Sequence, residues 1–333
     1  MPNRPMPAPL PADMHEPTVD PVLDRAARAG CDALLAAADG EFGPGQLAVC
    51  ACLYPRVPLR ADPGPFAAQT VWTHRGQAQI YPASVCKMFY LAALAGFEAA
   101  GRIVLDDEDH RAIRAMIDIS SNDATTYLLG RLTGAYDGPS LPPGALEEWV
   151  TARSEVQRWL EGLAIPGLAG IHLIHSTYED SPYGRAKQAR GVRPGNTLSA
   201  QAMAAMLHEM LRGALLPGRD WLAGQMARDW QRSTTTDAEG DQITGFLAEG
   251  IPADFHIWSK AGHTSWTRHD VIMLESPDGR AATLAVMTEG RAAAANKRTL
   301  PAFARAFVAQ AFYAEAFEHP YPDTASLTTR ALV

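Results

Sequence analysis

Strand-like segments near both ends of the chain, a long helical middle and a proline-rich start predict an α/β fold of the α+β type. One antiparallel sheet is assembled from both ends, helices cover its faces, and a helical lobe is inserted between them. The expected division is a disordered tail over 1–18, an α/β lobe from 19–83 and 232–333, and a helical lobe over 84–231.

Each element has its own reason. Residues 19–38 are rich in Ala and Leu and read as a helix. Gln46 to Tyr54 and Thr70 to His74 read as strands joined through a proline-rich connection. Helices dominate from 84 to about 231, among them one near 144–162. His256–Lys260, Asp270–Glu275 and Ala282–Thr288 read as three further strands, with Pro277-Asp278-Gly279 supplying turn residues between the last two. A closing amphipathic helix is expected over about 299–317, with Phe303, Phe307, Ala311 and Phe312 on its core face.

Composition narrows the function classes. A chain of 333 residues, 47% hydrophobic and 20% charged, suits one two-lobed globular protein with a substantial core. A formal net charge of −8 leaves no broad basic patch, so neither nucleic acid nor an anionic membrane surface is an expected partner. The start of the chain lacks a continuous apolar signal stretch, and no run approaches the roughly 18 apolar residues of a membrane helix. A cytoplasmic monomer follows as the expectation. Cys31, Cys50, Cys52 and Cys86 fit neither a metal spacing nor a disulfide framework. Cys50 and Cys52 alternate along a strand and share a buried face. His172 and His175 are the one helically spaced histidine pair, and no nearby carboxylate completes a zinc site. No metal or other cofactor is expected.

The chemistry begins at Tyr81-Pro-Ala-Ser-Val-Cys-Lys, where Ser84 and Lys87 stand three apart as an extended segment enters an apolar helix. A helix puts residues i and i+3 on one face, so the Lys87 amine can reach the Ser84 hydroxyl. The same helix start aims free N–H groups at Ser84. Pro82 suits the residues before a helix, and Met88, Phe89, Leu91, Leu94 and Phe97 make the helix a buried one. The plain alternative is that Ser84 caps the helix and Lys87 runs its stem out to solvent. Cys86 is a rival nucleophile, but two helical positions rotate it away from Lys87. Further on, Ser120 and Asn122 stand where a loop enters another apolar helix, and either could simply cap it. Trp258-Ser-Lys-Ala-Gly-His-Thr places Lys260 and Gly262 on a strand.

Taken in order, SxxK, SxN and KxG resemble the three signatures of the serine β-lactamase and penicillin-binding protein superfamily. The flanks Met116-Ile and Asp123-Ala-Thr-Thr-Tyr-Leu-Leu, with Asn196-Thr-Leu-Ser-Ala-Gln-Ala-Met, are similar to the class A branch. The resemblance covers about 45 to 310 and implies the class A fold with the nucleophile between the lobes. It implies a serine hydrolase or acyltransferase acting on a small-molecule or peptide-like amide or ester through an acyl-Ser84 intermediate. Lys87, its pKa lowered by burial and by Lys260, takes the proton. Ser120 relays a proton to the leaving group with Lys260 behind it, and Asn122 orients Lys87. The backbone N–H groups of Ser84 and His263 form the oxyanion hole, and Gly262 lets substrate approach the strand. A glutaminase-like amidase shares this logic, and a non-catalytic binding protein retaining the cleft is the alternative from another class.

Three departures bear on substrate. Ala261 stands where the family usually has threonine, so a hydroxyl that helps hold a substrate carboxylate is missing. Thr264, Ser265, Arg268 or His269 are the replacements; adjacent strand residues face opposite ways, and Arg268 is favoured over His269. Ser120 follows Ser84 by 36 residues, fewer than in typical class A enzymes, and Lys260 follows Ser120 by 140, more than usual. The water-activating carboxylate of the omega loop is assigned to Glu179, with Asp180 as runner-up.

Overall fold

The computed structural model describes residues 20–54, 64–178, 181–228 and 240–314. The tail over 1–18 lies outside them, as do Glu179 and Asp180.

Helix α1 (Pro21–Ala38) starts where the Asp20 carboxylate accepts from the N–H groups of Val22 and Leu23. The strands are β1 (Leu47–Tyr54), β2 (Val71–His74), β3 (His256–His263), β4 (Thr267–Glu275) and β5 (Ala281–Glu289), ordered β2-β1-β5-β4-β3 and antiparallel throughout. Both chain ends therefore supply one sheet, as the sequence predicts. Gly279, with φ 82°, turns the chain between β4 and β5.

Between β2 and β3 run α2 (Cys86–Ala99), α3 (Asp107–Asp118), α4 (Asn122–Thr133), α5 (Pro143–Arg153), α6 (Glu155–Gly162), α7 (Gly184–Val192), α8 (Ala200–Leu211) and α9 (Arg219–Met226). The single helix expected near 144–162 is two. Ser154 turns its hydroxyl back onto Val150 O at 2.8 Å, competing with the helical ladder, and α6 restarts beyond it. His172 and His175 sit on an extended segment rather than a helix, His172 bridging to Thr197. After β5 come α10 (Arg291–Ala295) and α11 (Thr299–Val308), the latter running on through a π turn to Tyr313.

Strand alternation sorts the core into two layers. Val271, Met273, Ala285, Cys50 and Cys52 pack toward α2 and α8. Ile272, Leu274, Val286 and Ala261 pack toward Leu23, Leu34, Phe303 and Phe307 of α1 and α11. No helix among the described residues is long and apolar enough to cross a membrane.

Candidate active site

The turn that carries Ser84 is shaped by strain. Ala83 holds φ at 47°, a left-handed conformation that costs an L-residue about 1–2 kcal/mol. A short 3-10 turn, Ala83–Val85, then runs straight into α2. Ser84 and Lys87 thus share one continuous helix start, and Lys87 is fully buried. The reading of Lys87 as a solvent-seeking lysine is overturned. Cys86 donates its thiol to Ala83 O at 3.1 Å, and burial pushes that thiol up to about 11, which disqualifies it as a nucleophile.

Ser120 is the second strained residue, at φ 58°. The cap of α4 is neither Ser120 nor Asn122 but Ser121, whose hydroxyl accepts from Ala124 N–H at 3.2 Å. Ser120 and Asn122 are released from capping. Lys87 Nζ donates to Asn122 Oδ1 at 2.8 Å, to Ser120 Oγ at 3.2 Å and to Ser120 O. From the sheet, Lys260 Nζ donates to the same Ser120 Oγ at 3.0 Å, to Ala261 O at 2.8 Å and to Gln242 Oε1. The chain has four lysines, and two of them meet on one serine hydroxyl. Burial first, then the charges of Lys87 and Arg228, hold the Lys260 amine well below the usual lysine range.

Strand β3 forms the free edge of the sheet beside the Ser84 turn. Ile257 O accepts from Arg228 N–H at 2.9 Å and Ser259 O from Arg228 Nη2 at 2.7 Å, while Ala261 N–H points to Gln242 Oε1 at 3.4 Å. The two-residue period carries the His263 N–H to that same edge. Gly262 brings the strand close: a Cβ built there would stand 2.9 Å from Pro82 O and 3.1 Å from Ser84 N.

The expected carboxylate-binding group is placed otherwise. Pairing of His263 with Arg268 puts Arg268 on the sheet face opposite Lys260. It is buried, its Nε donates to Ala294 O at 3.0 Å, and its guanidinium covers the Phe246 ring. His269 does share the Lys260 face, but its Nδ1 accepts from Thr288 N–H at 3.1 Å, which leaves Nε2 to donate to Tyr81 O at 2.9 Å. Burial lowers this histidine to about 4, so it is neutral and ties the strand to the segment before Ser84. Thr264 spends its hydroxyl closing the β3–β4 turn, accepting from the N–H groups of Trp266 and Thr267 at 3.1 Å each.

The segment leading to Glu179 is anchored beside the site. Ser176 Oγ lies 2.7 Å from Thr126 Oγ1 on α4, and His175 O accepts from Tyr90 of α2 and from Asn196 Nδ2, each at 2.7 Å. Glu179 itself is outside the described residues. Sequence reasoning missed Gln242, Arg228 and Asp270. Asp270, paired with Ala261, is fully buried; Leu247 N–H donates to its Oδ2 at 2.9 Å, and burial pushes the carboxyl up to about 7. No group of three or more His, Cys, Asp or Glu among the described residues is placed to hold a metal ion.

Comparison with known proteins follows the same lines. Among curated proteins, no sequence matches the chain. Its structure is similar to a β-lactamase from Burkholderia vietnamiensis, with TM-score 0.58 and 17% identity over 86% of this chain and 97% of that one. It is also similar to the class A β-lactamase of the last common ancestor of Gram-negative bacteria, with TM-score 0.56 and 19% identity over 84% and 98%. At such identities the likeness is one of fold. The profile of the beta-lactamase enzyme family matches residues 110–312, which takes in Ser120, Asn122, Lys260 and Gly262 and begins after Ser84 and Lys87. That match spans more than half of the chain, and with the class A architecture around it the chain belongs to the beta-lactamase enzyme family.

Proposed function

We propose that the protein is a serine hydrolase or acyltransferase that opens an amide or ester through an acyl-Ser84 intermediate. The observation that carries this reading is the single Ser120 hydroxyl held by both Lys87 and Lys260 at 3.2 and 3.0 Å, with Lys87 one helical turn along from Ser84 at the α2 start.

Ser84 Oγ attacks the carbonyl carbon and gives its proton to the Lys87 amine, which acts in its neutral form, two N–H groups donating and the lone pair accepting, with Asn122 orienting it. The negative oxygen that forms rests on the N–H groups of Ser84 and His263. As the bond to the leaving nitrogen or oxygen breaks, the proton moves from Lys87 through Ser120 to the leaving group, and Lys260 holds Ser120 in line. Water or an amine then takes the acyl group, with Glu179 the candidate to activate water. Gly262 supplies the close approach along β3. Arg268 has no part in this reading, since it faces the other side of the sheet.

Mass spectrometry after exposure to a fluorophosphonate or a penicillin tests the reading. An adduct on Ser84, absent from Ser84→Ala, is the expected result; no adduct on the folded wild type rejects it in favour of a binding protein. A panel of β-lactams, D-amino-acid peptides, simple esters and glutamine then separates the substrate classes, and Ser84-dependent deamidation of glutamine would select the amidase.

A further inference from the structure

Gln242 belongs to no motif, yet its side chain joins the two halves of the site. It is buried, and the two ends of its amide are divided between two elements. Oε1 accepts from Lys260 Nζ and from Ala261 N–H on β3. Nε2 donates to Ile117 O at 2.7 Å and Asp118 O at 2.8 Å, on the last turn of α3, three and two residues before Ser120. Arg228 runs beside it, from Ile117 O at 3.2 Å to Ser259 O at 2.7 Å.

The site demands a group that accepts at one end, donates at the other and carries no charge. A glutamate could hold Lys260 but would turn a carboxylate oxygen toward two carbonyls. A lysine or arginine could hold the carbonyls but would repel Lys260. Methionine fills the space and makes neither bond.

We propose that Gln242 is a positioning residue that holds the Lys260 amine on Ser120 through a neutral acceptor and fixes β3 against the end of α3. The amide thereby helps set the distance between the lysine and the serine, with Arg228 linking the same two elements beside it and reaching Gln242 Oε1 at 3.5 Å. The other titratable and charged groups around Lys260 are Lys87 and Cys86 from α2, Arg228 from the segment after α9 and, on the opposite face of the sheet, Asp270 from β4. A charge introduced at 242 therefore acts on an amine already surrounded mainly by cations. The catalytic consequence rests on the acyl-Ser84 reading; the consequence for Lys260 itself does not.

The test compares Gln242→Glu and Gln242→Met in the full chain. With four lysines, the Lys260 signal in a lysine-labelled NMR titration is identified by its loss in Lys260→Arg. In Gln242→Glu the Lys260 midpoint is expected to rise by about 1–3 pH units, the shift an adjacent opposite charge produces. The alkaline limb of Ser84 acylation should move to higher pH with it, because the amine that donates to Ser120 then stays protonated further up the scale. In Gln242→Met the maximal rate of fluorophosphonate acylation is expected to fall about 10- to 100-fold with probe affinity unchanged. An unmoved Lys260 midpoint in folded Gln242→Glu overturns the proposal, as does wild-type acylation by Gln242→Met. Melting temperatures that fall in both variants while the midpoint stays fixed would show a merely structural amide and also overturn it. Should wild type give no adduct at all, the acyl-Ser84 reading fails and the NMR titration alone decides this one; if Gln242→Glu does not fold, the midpoint in Gln242→Met decides, an unmoved value overturning the proposal.

Discussion

Gly262→Ala isolates the contact that joins the sheet to the Ser84 turn. Gly262 does not have a positive φ, so alanine meets no backbone penalty there and the effect is purely steric. The new methyl would lie 2.9 Å from Pro82 O, 3.1 Å from Ser84 N and 3.1 Å from Val85 Cγ2. Carbon normally stands at about 3.5–4.0 Å from its neighbours, so two backbone atoms must retreat by several tenths of an ångström. Overpacking of this kind costs about 1–3 kcal/mol. The retreat separates the Ser84 N–H from the His263 N–H. Losing one oxyanion donor outright costs about 10²–10³ in rate; displacing it by tenths of an ångström should cost about tenfold to a hundredfold. Urea unfolding and fluorophosphonate acylation rates measure the two effects. Gly224→Ala on α9, where nothing lies within 4 Å, is the control and should stabilise by about 0.5–1 kcal/mol with the rate unchanged. Wild-type acylation in Gly262→Ala would refute the claim that the strand must touch the turn.

Two further outcomes follow from buried titratable groups. The Asp270 carboxyl is raised to about 7 from a reference of 3.8, so the folded state holds a proton that the unfolded state releases. Its contribution is present below about pH 4 and is lost as pH rises toward 7; Asp270→Asn should lose less stability than wild type between pH 5 and 8 in denaturant titrations, and equal losses would reject the burial argument. The Cys86 thiol, buried and raised to about 11, should resist iodoacetamide at pH 8 in the folded protein, and Cys86→Ala should acylate at the wild-type rate with a stability loss of about 1 kcal/mol. Rapid labelling of Cys86 under native conditions would overturn both statements.

The residues legible in the sequence are those whose geometry is local. Ser84 and Lys87 share one helix start, and a helix lets spacing be read directly as facing. The strands read at His256–Lys260, Asp270–Glu275 and Ala282–Thr288 are legible as apolar runs, the last two parted by turn residues, and each lies within a longer observed strand. Facing across a sheet is not legible, since it depends on register. The Thr264–Thr267 closure pairs Gly262 with His269 and His263 with Arg268, and a shift of one residue would have exchanged the two side chains. Ser120 and Ser121 are indistinguishable as caps by residue type; the φ of 58° at Ser120 separates the serine that meets the two lysines from the capping one. Gln242 and Arg228 were invisible for a stronger reason. Each bridges from a near partner on β3 to one more than a hundred residues away, at Ile117, and a lone amide carries no spacing to read.

The strain at Ala83 argues that the turn is held for chemistry rather than stability. Ala164, just after α6, has nearly the same backbone angle, φ 51° against 47°, but is exposed and away from the site. Glycine at either position removes the left-handed penalty of about 1–2 kcal/mol and adds about 0.5–1 kcal/mol of unfolded-state entropy. Ala164→Gly should therefore gain slightly in stability and acylate normally. Ala83 is buried, so Ala83→Gly also loses its packed methyl, worth about 0.8 kcal/mol, and should end near wild type in stability. Its acylation rate, however, should fall, because glycine lets the turn before Ser84 sample conformations that alanine, once forced into place, cannot reach without passing through forbidden backbone angles. The two variants differ in position and hardly at all in intrinsic backbone cost, so equal acylation rates in both would mean that the strain at Ala83 positions nothing.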